Sequence, residues 1–369
     1  MQNTIIDIII NNNPNASWIK NNLLFLIQHG SKAYNCHIES SDDDFKGICL
    51  PDWKYFVSFE ENFEQFELKN PAPDAVIYSL KKFFQLAKQA NPNILEMLYV
   101  DPKHQLYVHP LMQKVLDQRE NFLSSKVRYS FGGFAFDQMR RLKLHRSWLL
   151  KGEEIKPPQR SDFNLPERPA IGEENLKAIM AAISKEVDRY NFTFLDELDS
   201  SQRIGVKNAV IEMLTEANIF HKDLFVNSAK KIGCEDNLIL LLQKEREFNS
   251  KLEDHRKYLE WKNKRNPVRY ADEVKYGYDL KFAYHIVRLY RSCAELLETG
   301  KLNVFREDRE ELISIRNGNW SYEQLEQYSI DMDQKLSDLY KITKLPHHIN
   351  GKKIQSLYQD IVEDFFKIK

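Results

Sequence analysis

The sequence has no long apolar run. None of its 369 residues lies in a stretch of the ~18 consecutive apolar residues that crossing a bilayer requires, so we expect no membrane partner. The first residues, MQNTIIDIIINNN, lack a basic segment and carry Asp7 within a short apolar run, so we expect no secretory signal peptide. The length favours two domains, and 42% hydrophobic with 29% charged residues is typical of an ordinary soluble fold.

Neither sign of charge dominates, and the cysteines form no recognisable pattern. The 53 basic and 54 acidic side chains give a net charge of −1, so binding to a polyanion would have to use local patches. The four cysteines, Cys36, Cys49, Cys234 and Cys293, form no CxxC pair and no zinc-binding spacing. Free thiols are typical of a reducing compartment, and we therefore expect a cytoplasmic protein.

Several common catalytic motifs are also missing. The sequence has no P-loop and no recognisable Ser-His-Asp or Cys-His arrangement. His285 has no second histidine at metal-ligand spacing, because His347 and His348 follow Pro346 in a predicted loop. These absences argue against P-loop phosphotransferases and against hydrolases that use such a nucleophile.

Apolar patterning predicts two different halves of the chain. Short apolar runs at 22–30, 45–51 and 73–80 predict buried strands, although a helix remains an alternative for the first run. The segment KKFFQLAKQA has helical spacing. Residues 151–171 contain four prolines and predict a linker. From residue 172 the pattern is helical almost throughout, including GVKNAVIEMLTEA. We therefore predict a domain of strands and helices at 1–150, a linker at 151–171 and a helical domain at 172–369.

Three consecutive aspartates precede the second predicted strand. If the strand includes them, Asp42 and Asp44 share one face and Asp43 points to the other. Two carboxylates on one face can bind hard cations such as Mg²⁺, and two ions roughly 3.5–4 Å apart can stabilise a phosphoryl displacement. Such a site needs a third carboxylate, for which Asp74 is the first candidate and Glu96 the second. The alternative is an acidic, solvated loop.

The Gly30-Ser31 pair, which follows the first predicted strand, has residue types that suit phosphate binding. A glycine lets a phosphate approach the backbone where a Cβ would interfere. Ser31 offers both a backbone N–H and a hydroxyl to phosphate oxygens. Each motif is weak alone, but the Gly-Ser pair and the aspartates between two predicted strands strengthen each other.

The segments GSKAY and SDDDFKGICLP together resemble the Gly-Ser…Asp-x-Asp signature of the DNA polymerase β nucleotidyltransferase superfamily. More specifically, they resemble the RNA repair pathway DNA polymerase β-like nucleotidyltransferases, whose pattern is Gly-Ser-x-Ala-Tyr-Gly followed by Ser-Asp-x-Asp-x-Arg-Gly. The matching residues are Gly30, Ser31, Ala33, Tyr34, Ser41, Asp42, Asp44 and Gly47. The similarity extends from about residue 25 to 325 and is weak in the middle.

The resemblance implies an α/β (α+β) N-terminal nucleotidyltransferase domain with a small mixed β-sheet, followed by a mostly α-helical domain that contributes to the substrate cleft. It implies transfer of a nucleoside monophosphate from a nucleoside triphosphate (NTP) to a hydroxyl, with Mg²⁺ or Mn²⁺ as the cofactor. The expected catalytic and metal-binding residues are Asp42, Asp44 and Asp74. The expected NTP-binding residues of this domain are Gly30, Ser31, Tyr34 and Lys46.

Three positions depart from the family pattern. Lys46 replaces the arginine and Asn35 replaces the second glycine. Asparagine readily adopts a positive φ, so the turn at this position is compatible with Asn35. Ser79 stands where the family often has an acidic residue, which gives Asp74 more weight as the third metal ligand.

A helical segment near the C-terminal end carries three potential cations. Lys281, His285 and Arg288 have the spacing i, i+4, i+7 and so lie on one face of a helix. Our interpretation is that they contact the triphosphate or the phosphate of the acceptor, because the family resemblance is dense in this segment. The alternative is that they form salt bridges with acidic residues elsewhere in the fold.

The sequence leaves the acceptor open. Two basic stretches, around Arg141 and around Arg265, favour RNA or tRNA ends as acceptors, and Trp261 and Tyr270 flank the second stretch. The net charge of −1 instead favours nucleotidylation of a small molecule or a protein side chain, since RNA-binding proteins usually have a basic excess. A third hypothesis is an inactive nucleotide-binding regulatory module, against which Asp42 and Asp44 argue.

Overall fold

The computed structural model describes residues 7–8, 16–39, 41–68, 74–151, 154–190 and 220–368. The chain divides into two compact units, one formed by Met1–Arg146 with Val268–Lys369 and the other by Ser147–Pro267. This division differs from the predicted boundaries, because residues 268–369 share a unit with the N-terminal residues. The predicted helix GVKNAVIEMLTEA lies outside the described residues.

The first unit contains a five-stranded mixed β-sheet. Its strands are β1 (Leu23–His29), β2 (Asp44–Cys49), β3 (Gln65–Leu68), β4 (Asp74–Ser79) and β5 (Gln105–Val108). The order across the sheet is β3-β4-β2-β1-β5. β2 and β4 are parallel, and the other neighbouring pairs are antiparallel. The sheet is therefore small and mixed, as the resemblance implied.

Helices cover the sheet and make up most of the remaining chain. In the first unit they are α1 (Ile19–Asn22), α2 (Gly30–Ala33), α3 (Lys54–Val57), α4 (Leu80–Lys88), α5 (Pro92–Leu98) and α6 (Pro110–Leu116), and α7 (Gly133–Leu150) begins in the first unit and ends in the second. The second unit contains α8 (Glu173–Tyr190), α9 (Phe220–Lys231) and α10 (Asp236–Asn263). They are followed by α11 (Pro267–Tyr276), α12 (Leu280–Thr299), α13 (Arg309–Arg316), α14 (Tyr322–Ile342) and α15 (Gly351–Ile368). No helix within the described residues is long and apolar enough to span a membrane.

Two apolar cores hold the sheet in place. One lies between a sheet face and the surrounding helices, and its buried side chains include Leu24, Ile48, Phe83, Leu95 and Ile286. The other covers the opposite face and includes Ile19, Leu26, Phe45, Cys49 and Ile77. Because side chains alternate along a strand, Asp44 and Lys46 lie on the same face of β2 as Ile48. This face is the one that α12 covers.

Local sequence explains the ends of helix α12, which brings Lys281 to the sheet domain. The Asp279 side chain accepts a hydrogen bond from the N–H of Phe282 and so caps the first turn. Gly300 ends the helix in a left-handed conformation with φ of 69°, which a glycine adopts without strain. Buried apolar residues along α12, such as Ile286 and Leu289, anchor it in the first core.

Candidate active site

Acidic residues lie near one another at one end of the parallel strand pair. Asp44, the first residue of β2, lies directly opposite Asp74, the first residue of β4. On the other side of β2, Asp44 is paired with His29, the last residue of β1. Asp42 is exposed in the loop that precedes β2. We call Asp42, Asp44 and Asp74 the carboxylate edge.

The negative charges of the carboxylate edge repel one another. The pKa of Asp44 is raised above its usual value, first by burial and then by repulsion from Asp74 and Asp42, while attraction to Lys281 opposes the shift. A raised pKa means that ionised Asp44 is destabilised in this environment. A cation bound beside Asp44 would therefore relieve an existing electrostatic cost.

Asp43 points away from the carboxylate edge. Its Oδ1 accepts hydrogen bonds from Lys32 Nζ at 2.6 Å and from Gln28 Nε2 at 2.9 Å. The Lys32 ammonium lowers the pKa of Asp43, first through this hydrogen bond. Strand β2 begins only at Asp44, so Asp42 and Asp43 belong to the preceding loop. The predicted alternation required a strand through Asp42 and Asp43, and that premise is wrong; the Asp43 carboxylate is instead held by Lys32 and Gln28.

The Gly30-Ser31 pair opens a tight turn against Asp44. Gly30 has φ of 67°, and a side chain there would collide with the Asp44 carboxylate, so glycine is required on both counts. The turn is closed by a hydrogen bond from Cys36 N to Ser31 O at 2.8 Å. The half-buried hydroxyl of Ser31 makes no hydrogen bond within the described residues, so it is available to a ligand.

Position 79 is far from the carboxylate edge. Ser79 ends β4, opposite Cys49, and lies five positions after Asp74. At about 3.3 Å per residue this places the two positions roughly 16 Å apart along the strand. Ser79 instead caps α4 by accepting a hydrogen bond from Lys82 N. The replacement of an acidic residue at position 79 therefore does not remove a carboxylate from this edge.

Glu96, the second candidate for the third carboxylate, is only 1% exposed and fully engaged. It forms an ion pair with Arg288 and accepts a hydrogen bond from the Tyr34 hydroxyl at 2.6 Å. The Arg288 guanidinium lies 3.7 Å from the centroid of the Tyr34 ring, and His29 Nε2 is 3.7 Å from Glu96 Oε2. We call His29, Tyr34, Glu96 and Arg288 the buried ion cluster. Glu96 is thus a partner of Arg288, whereas the acidic groups that raise the pKa of Asp44 are Asp74 and Asp42.

Lys46 lies between the carboxylate edge and the buried ion cluster. Its ammonium donates a hydrogen bond to Asn93 Oδ1 at 3.1 Å and lies 3.5 Å from His29 Nε2. Burial lowers the pKa of Lys46 to about 8, and attraction to Glu96 and Asp44 opposes that shift. Lys46 therefore interacts electrostatically with an acidic residue of each group.

The helical part of the first unit places cations opposite the carboxylate edge. Burial lowers the pKa of Lys281, as do Arg269 and Arg316, whereas Asp44 and Asp42 raise it. Lys281 makes no hydrogen bond or ion pair in the described part of the chain. Arg316 is half-buried, and its one polar contact there is a hydrogen bond from Nη1 to Cys36 O at 3.2 Å. Repulsion from Arg269 and Arg316 destabilises the charged form of Lys281, so an anion bound beside Lys281 would stabilise it.

Sequence reasoning did not find Arg316 and Arg269. Arg316 was assigned no role from the sequence, and Arg269 counted only as part of a basic stretch. Their proximity to Lys281 results from the packing of α11, α12 and α13, which no local pattern encodes.

The three predicted phosphate-binding residues of α12 have different surroundings. Lys281 faces the carboxylate edge, whereas Arg288 is 5% exposed and paired with Glu96. The pKa of half-buried His285 is well below 6.5, because of burial and then repulsion from Arg288 and Lys281. His285 is therefore neutral at neutral pH. Arg288 therefore forms the kind of salt bridge that the alternative interpretation expected. Tyr34, a predicted NTP-binding residue, belongs to the same buried ion cluster.

The carboxylate edge has the right donor atoms for Mg²⁺ but is not a closed metal cage. Within the described residues, no three His, Cys, Asp or Glu side chains converge closely enough to hold a metal ion as they stand. Carboxylate oxygens are nevertheless the ligands that Mg²⁺ prefers, and the raised pKa of Asp44 indicates charge that a cation would neutralise. The residues present therefore fit a hard divalent cation in their chemistry.

The two basic stretches differ in their surroundings. Arg140 and Arg141 are exposed on α7, whereas Lys143 and Arg146 of the same stretch pair with glutamates of α14. In the second unit, the Arg265 guanidinium lies 3.5 Å from the centroid of the Trp261 ring.

The aromatic side chain beside the second stretch is already in use. Trp261 packs against Trp148 and Tyr258, with ring centroids 5.3 and 5.9 Å away. Trp261 is therefore part of the packing of its own unit.

Comparison with known proteins gives one match. Residues 7–163 match the family model of the RNA repair pathway DNA polymerase beta family, which confirms the resemblance over these residues. The segments beyond residue 163 that resemble the family lie outside the matched range. No curated protein and no solved structure matches the chain significantly.

Proposed function

We propose that the protein is a metal-dependent nucleotidyltransferase that transfers a nucleoside monophosphate from an NTP to a hydroxyl group. The match to the RNA repair pathway DNA polymerase beta family supports the reaction class. The observation that carries the proposal is the juxtaposition of the carboxylate edge with Lys281 and Arg316. A bound cation would stabilise the ionised aspartates of the carboxylate edge, and a bound anion would stabilise the charges of Lys281 and Arg316. The two groups together therefore suit a metal–triphosphate complex.

The carboxylate edge would hold the cation, with Asp42 and Asp44 on β2 and its loop and Asp74 on the adjacent strand. When bound, Mg²⁺ or Mn²⁺ would neutralise charge on the attacking and leaving oxygens of the displacement. Asp74 is exposed at the start of β4, so its carboxylate is accessible to the hydroxyl of an acceptor. Asp44 is half-buried against Gly30, which fixes its position.

The triphosphate would be bound from two sides. Ser31 offers its hydroxyl from the turn that follows β1, and Lys281 and Arg316 offer positive charge from the helical part of the same unit. Hydrogen bonds between charged groups and phosphate oxygens are roughly twice as strong as neutral ones. Arg288 and Tyr34 act indirectly in this proposal, because they stabilise the packing of α12 against the sheet domain.

We further propose an RNA end as the acceptor, which is supported by the match to the RNA repair pathway family and by the exposed Arg140 and Arg141 on α7. The test is incubation with each α-labelled NTP, Mg²⁺ or Mn²⁺, and total RNA, a small-molecule extract or a protein extract in parallel. Label in RNA that resists protease and is released by ribonuclease supports this acceptor. Label only in protein or in small molecules would instead support the alternative acceptors, and no transfer from any NTP would refute the proposed reaction.

A further inference from the structure

The turn that carries Ser31 is fastened to a loop about 270 residues away in sequence. Arg306 N donates a hydrogen bond to Tyr34 O at 3.2 Å, and Asn35 Nδ2 donates one to Arg306 O at 3.2 Å. The two bonds run in opposite directions between Arg306 and two consecutive residues of the turn. We call this pair of hydrogen bonds the latch.

Asn35 has the two properties that the latch requires. Its φ is 59°, a left-handed conformation that glycine and asparagine adopt most readily. Glycine would satisfy the backbone but has no side chain to donate to Arg306 O. Aspartate would satisfy the backbone and the shape, but its carboxylate oxygens are acceptors and would repel that carbonyl. Asparagine therefore combines the backbone conformation with the donor.

The loop on the other side of the latch is held rigidly. Arg306 is 5% exposed, and its guanidinium forms ion pairs with Glu295 at 2.7 Å and with Asp308 at 2.7 Å. Asp308 also pairs with Arg291 at 2.6 Å. Glu295 and Arg291 both lie on α12, the helix that carries Lys281. The latch therefore connects the Ser31 turn to the helix that supplies the opposite side of the anion site.

Packing alone does not hold this loop in place. A cleft of about 310 Å³, open to solvent and lined in part by Phe305, Arg306 and Asp308, lies beside it. With solvent on that side, the loop depends on its ion pairs and hydrogen bonds. Loss of the Asn35 side chain would remove one of the two hydrogen bonds to the turn.

We propose that Asn35 is a positioning residue for nucleotide binding: through the latch it fixes the Gly30–Cys36 turn, and with it Ser31, relative to Lys281 and Arg316. The inference rests on the proposed function, because it takes Ser31 to be a triphosphate ligand. Asn35 itself touches no reacting atom. Its effect should therefore fall on NTP affinity and not on the rate at saturating NTP.

The test compares Asn35→Gly and Asn35→Asp with the parent and with Asn164→Gly. Asn164 is an exposed asparagine in the same left-handed conformation, with φ of 51°, so it controls for the backbone change alone. The probes are the non-hydrolysable α,β-methylene analogues of the four NTPs, bound in the presence of Mg²⁺. Pyrophosphate release at saturating NTP and amide hydrogen exchange over residues 30–36 are measured on the same variants.

We expect Asn35→Gly to raise the Kd of the bound analogue about 3- to 10-fold, the effect of one lost hydrogen bond. Asn35→Asp should raise it further, both should speed amide exchange in the turn, and neither should much change the saturated rate. Asn164→Gly should match the parent in every measurement. If both Asn35 variants bind the analogue with the Kd of the parent while Ser31→Ala binds it more weakly, the proposed role of the latch is wrong. The proposed function would not be affected by that result.

A different failure would identify an error in the proposed function. If neither Ser31→Ala nor Asp44→Asn changes binding of any analogue, the nucleotide site itself is wrong. In that case, amide hydrogen exchange alone tests whether the latch holds the turn. Unchanged exchange over residues 30–36 in Asn35→Asp would refute the latch in addition to the nucleotide site. A fall in the saturated rate at unchanged Kd would also contradict a positioning role.

Discussion

Two groups of charged side chains lie close together in the first unit, and they differ in how fully their charges are compensated. In the buried ion cluster, Glu96 pairs with Arg288 and accepts a hydrogen bond from the Tyr34 hydroxyl. At the carboxylate edge, the neighbours of Asp44 that raise its pKa are two further aspartates. Breaking the first group should affect folding, whereas breaking the second should affect chemistry.

The largest expected effect is on activity. Asp42→Asn and Asp44→Asn should each reduce nucleotidyl transfer at least ~100-fold, because each removes a charge that offsets several kcal/mol at the transition state. Transfer of label from the NTP is the measurement, with unfolding by urea as a check on the fold. Asp43→Asn is the matched control, and it should retain most activity because Asp43 pairs with Lys32. Equal losses in Asp43→Asn and Asp42→Asn would contradict the placement of these side chains.

The next largest effect is on stability. Arg288→Met should lower the free energy of unfolding by about 3–5 kcal/mol, because it leaves Glu96 buried without its ion-pair partner. The double variant Arg288→Met with Glu96→Leu should recover much of that loss, since it removes both charges. Urea unfolding measures both variants. A stable Arg288→Met protein with greatly weakened NTP binding would show instead that Arg288 is a ligand of the substrate.

A smaller effect is expected on substrate affinity. Lys281→Met and Arg316→Met should each raise the KM for NTP about 10- to 100-fold, as expected for the loss of a hydrogen bond to a charged group. The difference from the parent should shrink at high salt, which screens the attraction. Lys335→Met is the control, because Lys335 is exposed and pairs with Glu298. An unchanged KM in both variants would remove the helical cations from the proposed site.

The smallest effect concerns pH. Burial holds the pKa of His29 and of His285 well below 6.5 in the folded protein. Below pH 6.5 the unfolded chain therefore binds more protons than the native one, so stability should fall as the pH falls from 6.5. Each histidine can contribute up to about 1.4 kcal/mol per pH unit.

The test is urea unfolding between pH 7.5 and 5.5. His285→Gln should reduce the slope of unfolding free energy against pH, whereas His37→Gln, at an exposed position, should leave it unchanged. Identical slopes in the two variants would mean that His285 binds a proton equally well in the folded and unfolded chains.

Local sequence predicted those parts of the fold that local physics determines. The apolar runs correctly placed β1, β2 and β4, because a buried strand needs consecutive or alternating apolar residues. The same reasoning missed β3 and β5. Each has only four residues; β3 buries only Leu68, and all four residues of β5 are half-buried, so the two strands owe their conformation to pairing with β4 and β1.

The site shows the same limit at the level of side chains. The periodicity of α12 correctly places Lys281 and Arg288 on one helix, but only the tertiary fold shows that Arg288 meets Glu96, 192 residues away. The latch is a further case. A positive φ at Asn35 was foreseeable from its residue type, whereas its bond to Arg306 depends on a loop at the other end of the chain.

The most direct test of the carboxylate edge as a metal–nucleotide site is Mn²⁺ binding, followed by the electron paramagnetic resonance signal of free Mn²⁺. The titration uses the parent, Asp44→Asn and Asp43→Asn, each with a non-hydrolysable NTP analogue present. We predict that the parent and Asp43→Asn take up Mn²⁺ together with the analogue and that Asp44→Asn does not. Equal uptake by all three proteins, or no uptake by the parent with any of the four analogues, would contradict the account.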